Sequence, residues 1–519
     1  MTPRSAISRA GRAGRSWQSQ FVLLVMLSAC ASPGIREYGE RPEPSFANPS
    51  ATTGTLAELA GRFAERYGPG ASGFHLLDSS HDALSWRLAL IDSAASSLDI
   101  LTYLWYPDVS GNLILERAIL AAQRGVRVRL VIDDLLTIGQ DQALANIQAM
   151  PNVELRLFNP WKSRNLGSRA GEMVAQMERL NTRMHDKLMI ADGNAVILGG
   201  RNIGDHYFGL SHNYNFHDLD VLAIGALGRD ANEMFDHFWN SELLASAVQL
   251  TTSPDSNKAE TGWQMLQAGN RAAEELESIA RTFKDWSKEF AAIEPALRPG
   301  TGQLEYDEVI ASGINQDMLE TMFEFFEQAE RELFITNAYI IPGPPGIEML
   351  QRLSERGVDI RILTNSLASH DVPAVNSHYE PWRKPIIAAG VELYEQRADA
   401  AIQQSVDIPP VSGKFVGLHT KAAVIDRRHV FIGSMNLDPR SAMINTEMGA
   451  VIDSPALADD LRDLMLRDMG GENAWHVTLS DDGQLRWTNS EQTVRSQPSR
   501  GFLQNVMNVI FKVLPKKQF

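Results

Sequence analysis

The chain has 519 residues, with 48 lysines and arginines, 64 aspartates and glutamates, a formal net charge of −16 and a single cysteine. This length suffices for two or more domains with sizeable cores, and one cysteine excludes both an internal disulfide framework and a cysteine-rich metal site. The acidic balance disfavours broad nucleic-acid binding, which normally requires a basic surface.

The N-terminus has the pattern of an export signal peptide. Residues 1–29 carry four arginines and no acidic residue, and they include the apolar run Phe21–Leu27, in the order required of a secretory signal. This run is too short for a spanning helix, which needs about 20 apolar residues. Leu27–Cys30 (LSAC) resembles the bacterial lipobox, which predicts cleavage before Cys30 and acylation of its sulfur. Ala29–Ala31 also fits an ordinary cleavage site, and a misassigned start is a third interpretation.

Residues 30–55 are predicted to be the lipidated cysteine and a flexible tether. They contain four prolines and several small polar residues without apolar periodicity, a composition typical of disorder. About 25 flexible residues have an r.m.s. reach of about 25–30 Å, which would let a folded body rest on a lipid surface. We therefore expect a lipoprotein of the bacterial cell envelope, anchored on the periplasmic side.

The rest of the chain contains an internal repeat. Three segments recur in the same order with offsets of 232 to 235 residues: Ser97–Tyr103 with Glu332–Ala338, Arg124–Leu130 with Arg356–Ile362, and His185–Lys187 with His419–Lys421. Such steady offsets predict a tandem of two similar halves. The predicted boundaries are a first lobe at 56–250, a linker and helical insert at 251–300, a second lobe at 301–475 and a C-terminal tail at 476–519.

Within the halves, β-rich runs alternate with helical patterns. Leu98–Leu104 is predicted to be a strand, Gly111–Gln123 a helix and Val126–Ile132 a strand. This alternation is typical of βαβ units and predicts an α/β sheet flanked by helices. In the insert, Ala259–Ala292 is predicted to form one or two helices.

The C-terminal tail contains an amphipathic segment. Phe502–Leu514 places its apolar residues on one face at helical spacing, and Lys516 and Lys517 follow it. A basic-tipped amphipathic helix can lie in a bilayer interface. A helix packed on the protein's own core is an equally good interpretation.

One motif occurs twice in the repeat. It has the form His-x-Lys-x4-Asp-x6-Gly-Gly/Ser-x-Asn and comprises His185, Lys187, Asp192, Gly199, Gly200 and Asn202, then His419, Lys421, Asp426, Gly433, Ser434 and Asn436. Residues i and i+2 of a strand share a face, so each histidine should lie beside its lysine. A hairpin at Asp192-Gly193 would return the small residues and the asparagine to the same place. Asp192 and Asp426 are predicted to have a structural role at the turns.

Two such sets suit a phosphodiester. The two lysines, with Asn202 and Asn436, could hold the phosphate oxygens and stabilise transition-state charge. Small residues at Gly200 and Ser434 would let phosphate approach the backbone. Two imidazoles could divide attack on phosphorus and protonation of the leaving alcohol between them. This chemistry requires no metal and no cofactor.

Each imidazole also needs a carboxylate that fixes its tautomer. The candidate that follows His185 is Asp218, 33 residues downstream, with Asp220 as the alternative, and the candidate that follows His419 is Glu447, 28 residues downstream. Nearby histidines and acids have irregular spacing, which favours a polar rim on the site over a metal centre: Asp205, His206, His212, His217 and Asp220.

The duplicated His-x-Lys-x4-Asp motif resembles that of the phospholipase D superfamily, over about Gly73 to Asn473. The resemblance implies a pseudo-two-fold pair of α/β/α lobes with the active site between them. It further implies that His185 is the nucleophile that forms a phosphohistidine. His419 would then be the general acid and later the base.

Three strings are similar to bacterial cardiolipin synthases of the C-type branch: Gly199–Asp205, Leu363–Ala368 and Ser434–Ser441. The similarity implies transfer of a phosphatidyl group onto phosphatidylglycerol at a membrane surface, with phosphatidylethanolamine as a second candidate lipid. The alternatives are a hydrolytic phospholipase D that releases phosphatidic acid, a nucleic-acid phosphodiesterase, which the acidic charge disfavours, and an inactive lipid-binding lipoprotein. The sequence leaves the donor lipid, any accessory subunit, the membrane and the oligomeric state open.

Overall fold

The computed structural model describes residues 42–137, 139–164, 171–172, 176–247, 253–310 and 313–511. The predicted signal peptide, Cys30 and the tail beyond Phe511 lie outside these residues. Within the described part of the chain, no helix combines the length and the apolar character needed to cross a bilayer.

The first lobe is built on a mixed sheet. Its strands are β1 (Ser72–Leu77), β2 (Ser97–Thr102), β3 (Arg127–Asp133), β4 (Val153–Phe158), β5 (Lys187–Ala191), β6 (Ala195–Gly199), β7 (Asn215–His217), β8 (Asp220–Gly225) and β9 (Leu244–Ser246). They are ordered β9-β4-β3-β2-β5-β6-β8-β1, with β2, β3 and β4 parallel; β7 lies outside this sheet. The lobe's helices are α1 (Thr55–Tyr67), α2 (Ser80–Ser93), α3 (Val109–Gln123), α4 (Asp141–Gln148), α5 (Met177–Asn181) and α6 (Ala226–Trp239).

The β2-α3-β3 unit shows how the local sequence sets these elements. Asp108 is the N-cap of α3 and accepts a hydrogen bond from the backbone N–H of Gly111 at 3.0 Å, as N-cap residues do. Gly125, with a φ of 97°, follows the end of the helix, where glycine adopts the left-handed region without a steric penalty. The predicted strand, helix and strand are confirmed, with ends shifted by at most two residues.

The insert and the second lobe follow. The insert contains α7 (Ser256–Ala272) and α8 (Ser287–Ile293), so the predicted pair of helices is confirmed. The second lobe's strands are β10 (Arg298–Tyr306), β11 (Glu308–Ile310), β12 (Gly313–Asn315), β13 (Glu332–Asn337), β14 (Asp359–Asn365), β15 (Glu392–Gln396), β16 (Val416–Leu418), β17 (Lys421–Ile425), β18 (His429–Gly433), β19 (Met448–Asp453), β20 (Ala474–Leu479), β21 (Leu485–Thr488) and β22 (Thr493–Val494). Its helices, with the tail, are α9 (Met318–Glu327), α10 (Gly343–Glu355), α11 (Pro373–Tyr379), α12 (Arg383–Ala388), α13 (Gln403–Val406), α14 (Pro439–Met443), α15 (Pro455–Asp468) and α16 (Phe502–Phe511).

The second sheet repeats the first. Its order is β22-β21-β20-β15-β14-β13-β17-β18-β19-β10, with β13, β14 and β15 parallel. Strands β13, β14, β15, β17, β18 and β19 therefore take the places of β2, β3, β4, β5, β6 and β8. Strand β10 also pairs with β1 and joins the two sheets. The predicted tandem of α/β halves is confirmed.

The core sits in three layers around these sheets. One cluster lies between the first sheet and α1, α2 and α3. A central cluster is shared by both sheets and by α6 and α15, and it includes Val196 of β6 and Ile432 of β18. A third lies between the second sheet and α9, α10 and α12. Each lobe is thus an α/β/α sandwich, and the two lobes share one hydrophobic interface.

The flexible tether predicted for 30–55 does not hold for residues 42–54. The backbone N–H of Ala47 donates to Asp236 Oδ2 at 2.8 Å, and that of Ala51 donates to the carbonyl of Asp192 at 3.0 Å. The proline-rich composition gave no apolar signal because this segment binds the first lobe mainly through backbone groups.

The C-terminal helix α16 combines features of both predicted interpretations. Asn508 is 1% exposed and accepts a hydrogen bond from Asn376 Nδ2 of α11 at 2.8 Å. Three apolar side chains of the same helix remain exposed, namely Phe502 at 84%, Ile510 at 53% and Met507 at 36%. A polar face therefore docks on the protein and an apolar face is left outward.

Candidate active site

The two motif histidines are held by the opposite half of the chain. His185 lies two residues before the start of β5, and its backbone N–H donates to the carbonyl of Thr446 at 3.0 Å. His419 lies two residues before β17, and its N–H donates to the carbonyl of His217 at 2.8 Å. Thr446 and His217 each precede one of the predicted carboxylates, so these backbone contacts bring the four side chains together.

Each imidazole is paired with the carboxylate of the other half. Nδ1 of His185 lies 2.9 Å from Oε2 of Glu447, and Nδ1 of His419 lies 2.6 Å from Oδ2 of Asp218. The expected pairing within each half is therefore wrong. The strand ends that carry the motifs face the other lobe, so the nearest carboxylate comes from across the pseudo-two-fold axis.

Asp220, the alternative to Asp218, has a different set of partners. Its Oδ2 lies 2.9 Å from Arg87 and 3.1 Å from Arg201, and all three side chains are buried. This ion-pair cluster supports the first lobe from behind the site. Arg201 is therefore directed away from the substrate position.

The electrostatics of the two pairs differ. Burial, followed by the charge of Lys187, holds the pKa of His185 well below its ordinary value, and burial raises the pKa of Glu447 well above its own. These directions favour a neutral imidazole beside an uncharged carboxyl. Burial also acts to raise the pKa of Asp218, but the charge and hydrogen bond of His419 outweigh it and leave this pKa below its ordinary value. The carboxylate beside His419 is therefore ionised.

Both lysines are buried in the same site. Burial is the main cause that lowers the pKa of Lys187 to about 7 and that of Lys421 to about 8. Each Nζ donates to the backbone carbonyl of its own motif histidine, His185 or His419. Two partly desolvated ammonium groups thus converge on the space between the imidazoles, where an anionic phosphate would restore their full charge.

Gly200 and Ser434 lie behind the carboxylates, in contrast to their predicted contact with phosphate. A Cβ atom at Gly200 would lie 2.1 Å from Asp218 Oδ1, and Oγ of Ser434 donates to Oε2 of Glu447 at 2.5 Å. Their small size leaves space for the carboxylates. The sequence interpretation named the correct positions but the wrong partner.

The two asparagines occupy equivalent places with different contacts. Oδ1 of Asn202 accepts from the backbone N–H of Leu104 at 3.3 Å, and the side chain is 1% exposed. Asn436 is 5% exposed, and its Oδ1 has no hydrogen-bond partner among the described residues. An unpartnered buried acceptor is costly, so this oxygen is placed to accept a hydrogen bond from a ligand donor such as a hydroxyl, whereas a phosphate oxygen would need the Nδ2–H of the amide.

Asp192 and Asp426 occupy equivalent structural positions. Both have positive φ values, 58° and 54°. The carboxylate of Asp192 accepts from the backbone N–H groups of residues 95, 96 and 97 at 2.7–3.1 Å, and that of Asp426 accepts from those of residues 330, 331 and 332 at 2.8–3.0 Å. Each aspartate ties its hairpin turn to the start of the neighbouring central strand.

The predicted polar rim divides among several environments. His206 packs against Tyr106, with ring centroids 4.9 Å apart, and Asp205 accepts from the N–H of Ser110 at 2.8 Å. His217 lies behind the site, where its Nε2 is 3.1 Å from Asp78 and 3.7 Å from Asp468. Those two acids could supply metal ligands together with His217. The guanidinium of Arg467 already binds both, at 2.8 Å and 2.7 Å.

The sequence analysis missed the aromatic wall and one acid of the site. Tyr103 lies 5.2 Å from His185, and Phe216 lies 4.9 Å from His419, between ring centroids. Asp371 accepts a hydrogen bond from the hydroxyl of Tyr339 at 2.8 Å. Burial opposes ionisation of Asp371, but His370 outweighs it and the pKa falls to about 2. Tyr103, Tyr339 and Asp371 follow strands that carry no motif of their own, and Phe216 lies within the short strand β7. Their position near strand ends is therefore the only signal that the sequence offers for them.

The two lobes have the same fold, and each brings one His-Lys pair to a single site at their interface. This arrangement defines a phospholipase D-type protein. A family model described as "Cardiolipin synthase, PLD-like domain" matches residues 88–239 and 322–469. Cardiolipin synthase C of Escherichia coli (strain K12) is 34% identical over 466 residues, which cover 86% of this chain and 96% of that protein. An uncharacterized protein of Helicobacter pylori (strain J99) is 32% identical over 465 residues, or 87% and 90% of the two chains. The chain belongs to the cardiolipin synthase, PLD-like domain family, and it is an enzyme of the phosphatidyltransferase kind.

A solved structure supports the fold. The crystal structure of a phosphatidylserine synthase from Haemophilus influenzae has a TM-score of 0.51 at 15% identity and covers 79% of this chain and 91% of that one. At this identity the likeness concerns the fold alone. It confirms the predicted pair of α/β/α lobes, whereas the predicted superfamily is confirmed by the family model and by the relative that is 34% identical.

Proposed function

We propose that the protein transfers a phosphatidyl group onto phosphatidylglycerol, and so makes cardiolipin, through a covalent phosphohistidine on His185. The observation that carries the proposal is the pair of facing histidines, each with a carboxylate on Nδ1 and a buried lysine beside it. The 34% identity to a cardiolipin synthase over most of both chains supports the choice of lipid substrates.

In the first step, Nε2 of His185 attacks the phosphorus of the donor lipid. A P–N bond forms, the P–O bond to the headgroup breaks, and the leaving alkoxide takes a proton from Nε2 of His419. The lowered pKa of His185 keeps it neutral and nucleophilic. Burial and the charge of Lys421 lower the pKa of His419, but the ionised Asp218 on its Nδ1 acts to raise it and would stabilise the protonated imidazole that the general acid requires. Lys187, Lys421 and the Nδ2–H donors of Asn202 and Asn436 would stabilise the charge on the non-bridging oxygens.

In the second step, the now neutral His419 removes a proton from a glycerol hydroxyl of phosphatidylglycerol. That oxygen attacks phosphorus, the P–N bond breaks and His185 is released. One phosphodiester is exchanged for another, so atoms and charge balance without a nucleotide or a redox partner. Water in the acceptor position would instead give phosphatidic acid.

We also propose that α16 rests on the membrane beside the site. Its exposed face carries Phe502, Met507 and Ile510, and Lys516 and Lys517 follow in the sequence, a composition that suits an anionic bilayer interface. Nε2 of Gln504 donates to the carbonyl of Leu367 at 2.5 Å, four residues before Asp371. The apolar face would thus meet lipid close to the entrance of the site.

One assay tests the reaction. Detergent-purified full-length protein is incubated with labelled phosphatidylglycerol, with and without phosphatidylethanolamine, and the lipids are resolved. Cardiolipin as the product supports transfer. Phosphatidic acid without cardiolipin would reject transfer in favour of hydrolysis.

A second assay tests the anchor. Cells that express the protein are fed labelled fatty acid, which should enter the wild type but leave Cys30→Ala unlabelled if Cys30 is the acylated residue. Equal labelling of the two proteins would contradict the lipoprotein proposal.

A further inference from the structure

An apolar cavity lies in the first lobe beneath the inserted helix α7. Its volume is about 370 Å³, within the range of about 300–1,000 Å³ typical of small-molecule sites. The apolar side chains that line it come from the sheet, from α3 and α4 and from α7, and include Leu115, Ile119, Ile132, Leu144, Trp263 and Leu266. A second, more open cavity of about 650 Å³ shares Ile119, Met150 and Trp263 with it. The two cavities therefore adjoin each other under the helix.

One end of this space lies beside the candidate active site. Trp105 lines the cavity, and its backbone pairs with Ile203, the residue after Asn202. Tyr103, whose ring lies 5.2 Å from that of His185, is only two residues from Trp105, and consecutive Cα atoms are about 3.8 Å apart. A molecule held at His185 could therefore extend past Trp105 into the cavity.

Several polar side chains of the wall are already paired. Nε2 of Gln142 donates to Oδ1 of Asn146 at 3.1 Å, and the same oxygen accepts from the N–H of Asp255 at 2.9 Å. Nζ of Lys258 lies 3.4 Å from Asp255. A wall whose polar groups pair among themselves suits a hydrocarbon better than a hydrogen-bonding ligand.

Helix α7 covers one side of the cavity. Asn270, the buried residue of this helix, donates to Glu116 of α3 at 2.6 Å and fixes one end. The helix lies between the two ranges that match the family model, 88–239 and 322–469. It therefore lies outside the parts of the two lobes that the family model matches, and it covers the cavity that Trp105 lines.

We propose that this cavity binds an acyl chain of the phosphatidyl group that is held at His185. The inference rests on the proposed function, because the phosphatidyl group supplies the chain. The apolar wall, the two adjoining cavities and the position of Trp105 close to Tyr103 fit a linear hydrocarbon attached to a phosphate. Chain length and saturation would then influence turnover through α7 and not through the histidines.

Two glycines of α7 provide a matched test. A Cβ atom added at Gly262 or at Gly269 meets nothing within 4 Å, and of the two only Gly262 lines the cavity. Gly262→Phe should lower kcat/KM for dioleoyl-phosphatidylglycerol by about tenfold and change that for the dihexanoyl lipid less than about twofold. Gly269→Phe should leave both values near wild type. An unchanged ratio of the two substrates in Gly262→Phe would overturn the proposal.

A binding measurement separates this proposal from the proposed reaction. Phosphatidylglycerol with a diazirine on its acyl chain is photolysed with His185→Ala, which should not turn the lipid over, and the adducts are mapped by mass spectrometry. Adducts within 105–155 and 258–266, lost when Gly262→Phe is added, support the acyl site even if no cardiolipin is made. Adducts confined to other segments would reject it.

Discussion

The two halves of this enzyme share a backbone and differ at the group behind each histidine. The strand orders of the two sheets are equivalent, and each half lends its carboxylate to the other half's imidazole. Behind Asp218 stands Gly200, whose missing side chain leaves room for the short acid. Behind Glu447 stands Ser434, whose hydroxyl binds it at 2.5 Å. The two halves thus keep the same geometry and differ in electrostatics. Burial raises the pKa of Glu447, whereas at Asp218 the charge and hydrogen bond of His419 outweigh burial and lower the pKa.

The largest expected effect comes from removing each histidine and tests whether their roles differ. His185→Ala and His419→Ala should each lower cardiolipin formation by about 10³-fold or more. The leaving group of a p-nitrophenyl ester of phosphatidic acid needs no proton. With this substrate, His419→Ala should still release a stoichiometric burst of p-nitrophenolate and retain the phosphatidyl group on His185. The size of the burst and the amount of acid-labile phosphohistidine on the protein measure this intermediate. A burst in His185→Ala but not in His419→Ala would reverse the assigned roles.

The next largest effects should come from substitution of the two carboxylates, and the two effects should be unequal. Asp218→Asn removes an ionised partner and should lower kcat by about 10³-fold. Glu447→Gln replaces a carboxyl whose raised pKa favours its neutral form and should lower kcat by about tenfold. Steady-state kinetics with matched thermal unfolding checks both variants. Equal losses would contradict the electrostatic difference between the halves.

The pH dependence of kcat/KM should reflect the loss of charge from the lysines of both halves. An ammonium is lost as pH rises through its pKa, about 7 for Lys187 and about 8 for Lys421 in the free enzyme. We therefore expect kcat/KM to fall by about tenfold per unit between roughly pH 7 and pH 8 and by about a hundredfold per unit above pH 8, where both ammonium groups are lost. We expect kcat to fall at higher pH because bound phosphate raises both pKa values. His185, with its lowered pKa, should remain neutral at pH 6. A kcat/KM that is flat to pH 9 would contradict these pKa directions.

The smallest expected effect concerns the groups behind the carboxylates. Ser434→Ala removes one hydrogen bond to Glu447 and should lower kcat by about three- to tenfold. The reciprocal change, Gly200→Ala, places a methyl group against Asp218 and should cost more, since the added atom overlaps the carboxylate. Kinetics of both single variants would compare the two halves directly. A larger loss for Ser434→Ala than for Gly200→Ala would contradict the steric account.

Part of the site could be predicted because its signals are local. The hairpin of β5 and β6 follows from alternating apolar runs around Asp192-Gly193, and the structure pairs Leu188 with Leu198 and Ala191 with Ala195 accordingly. The positions of Asp218 and Glu447 were also found. Their partners were not, because sequence separation within one half carries no information about which lobe a strand end faces.

The sequence by itself determined the α/β class, the tandem repeat and the two His-x-Lys motifs, because strand period, helix caps and internal similarity are written in neighbouring residues. Only the tertiary structure decided that residues 42–54 bind the first lobe and that α7 covers an apolar cavity. It also decided that each imidazole pairs with the carboxylate of the other half. His185 and Glu447 are 262 residues apart, and His419 and Asp218 are 201 apart. Such contacts depend on how two sheets pack through a shared hydrophobic core, where the burial of apolar side chains sets which polar groups meet.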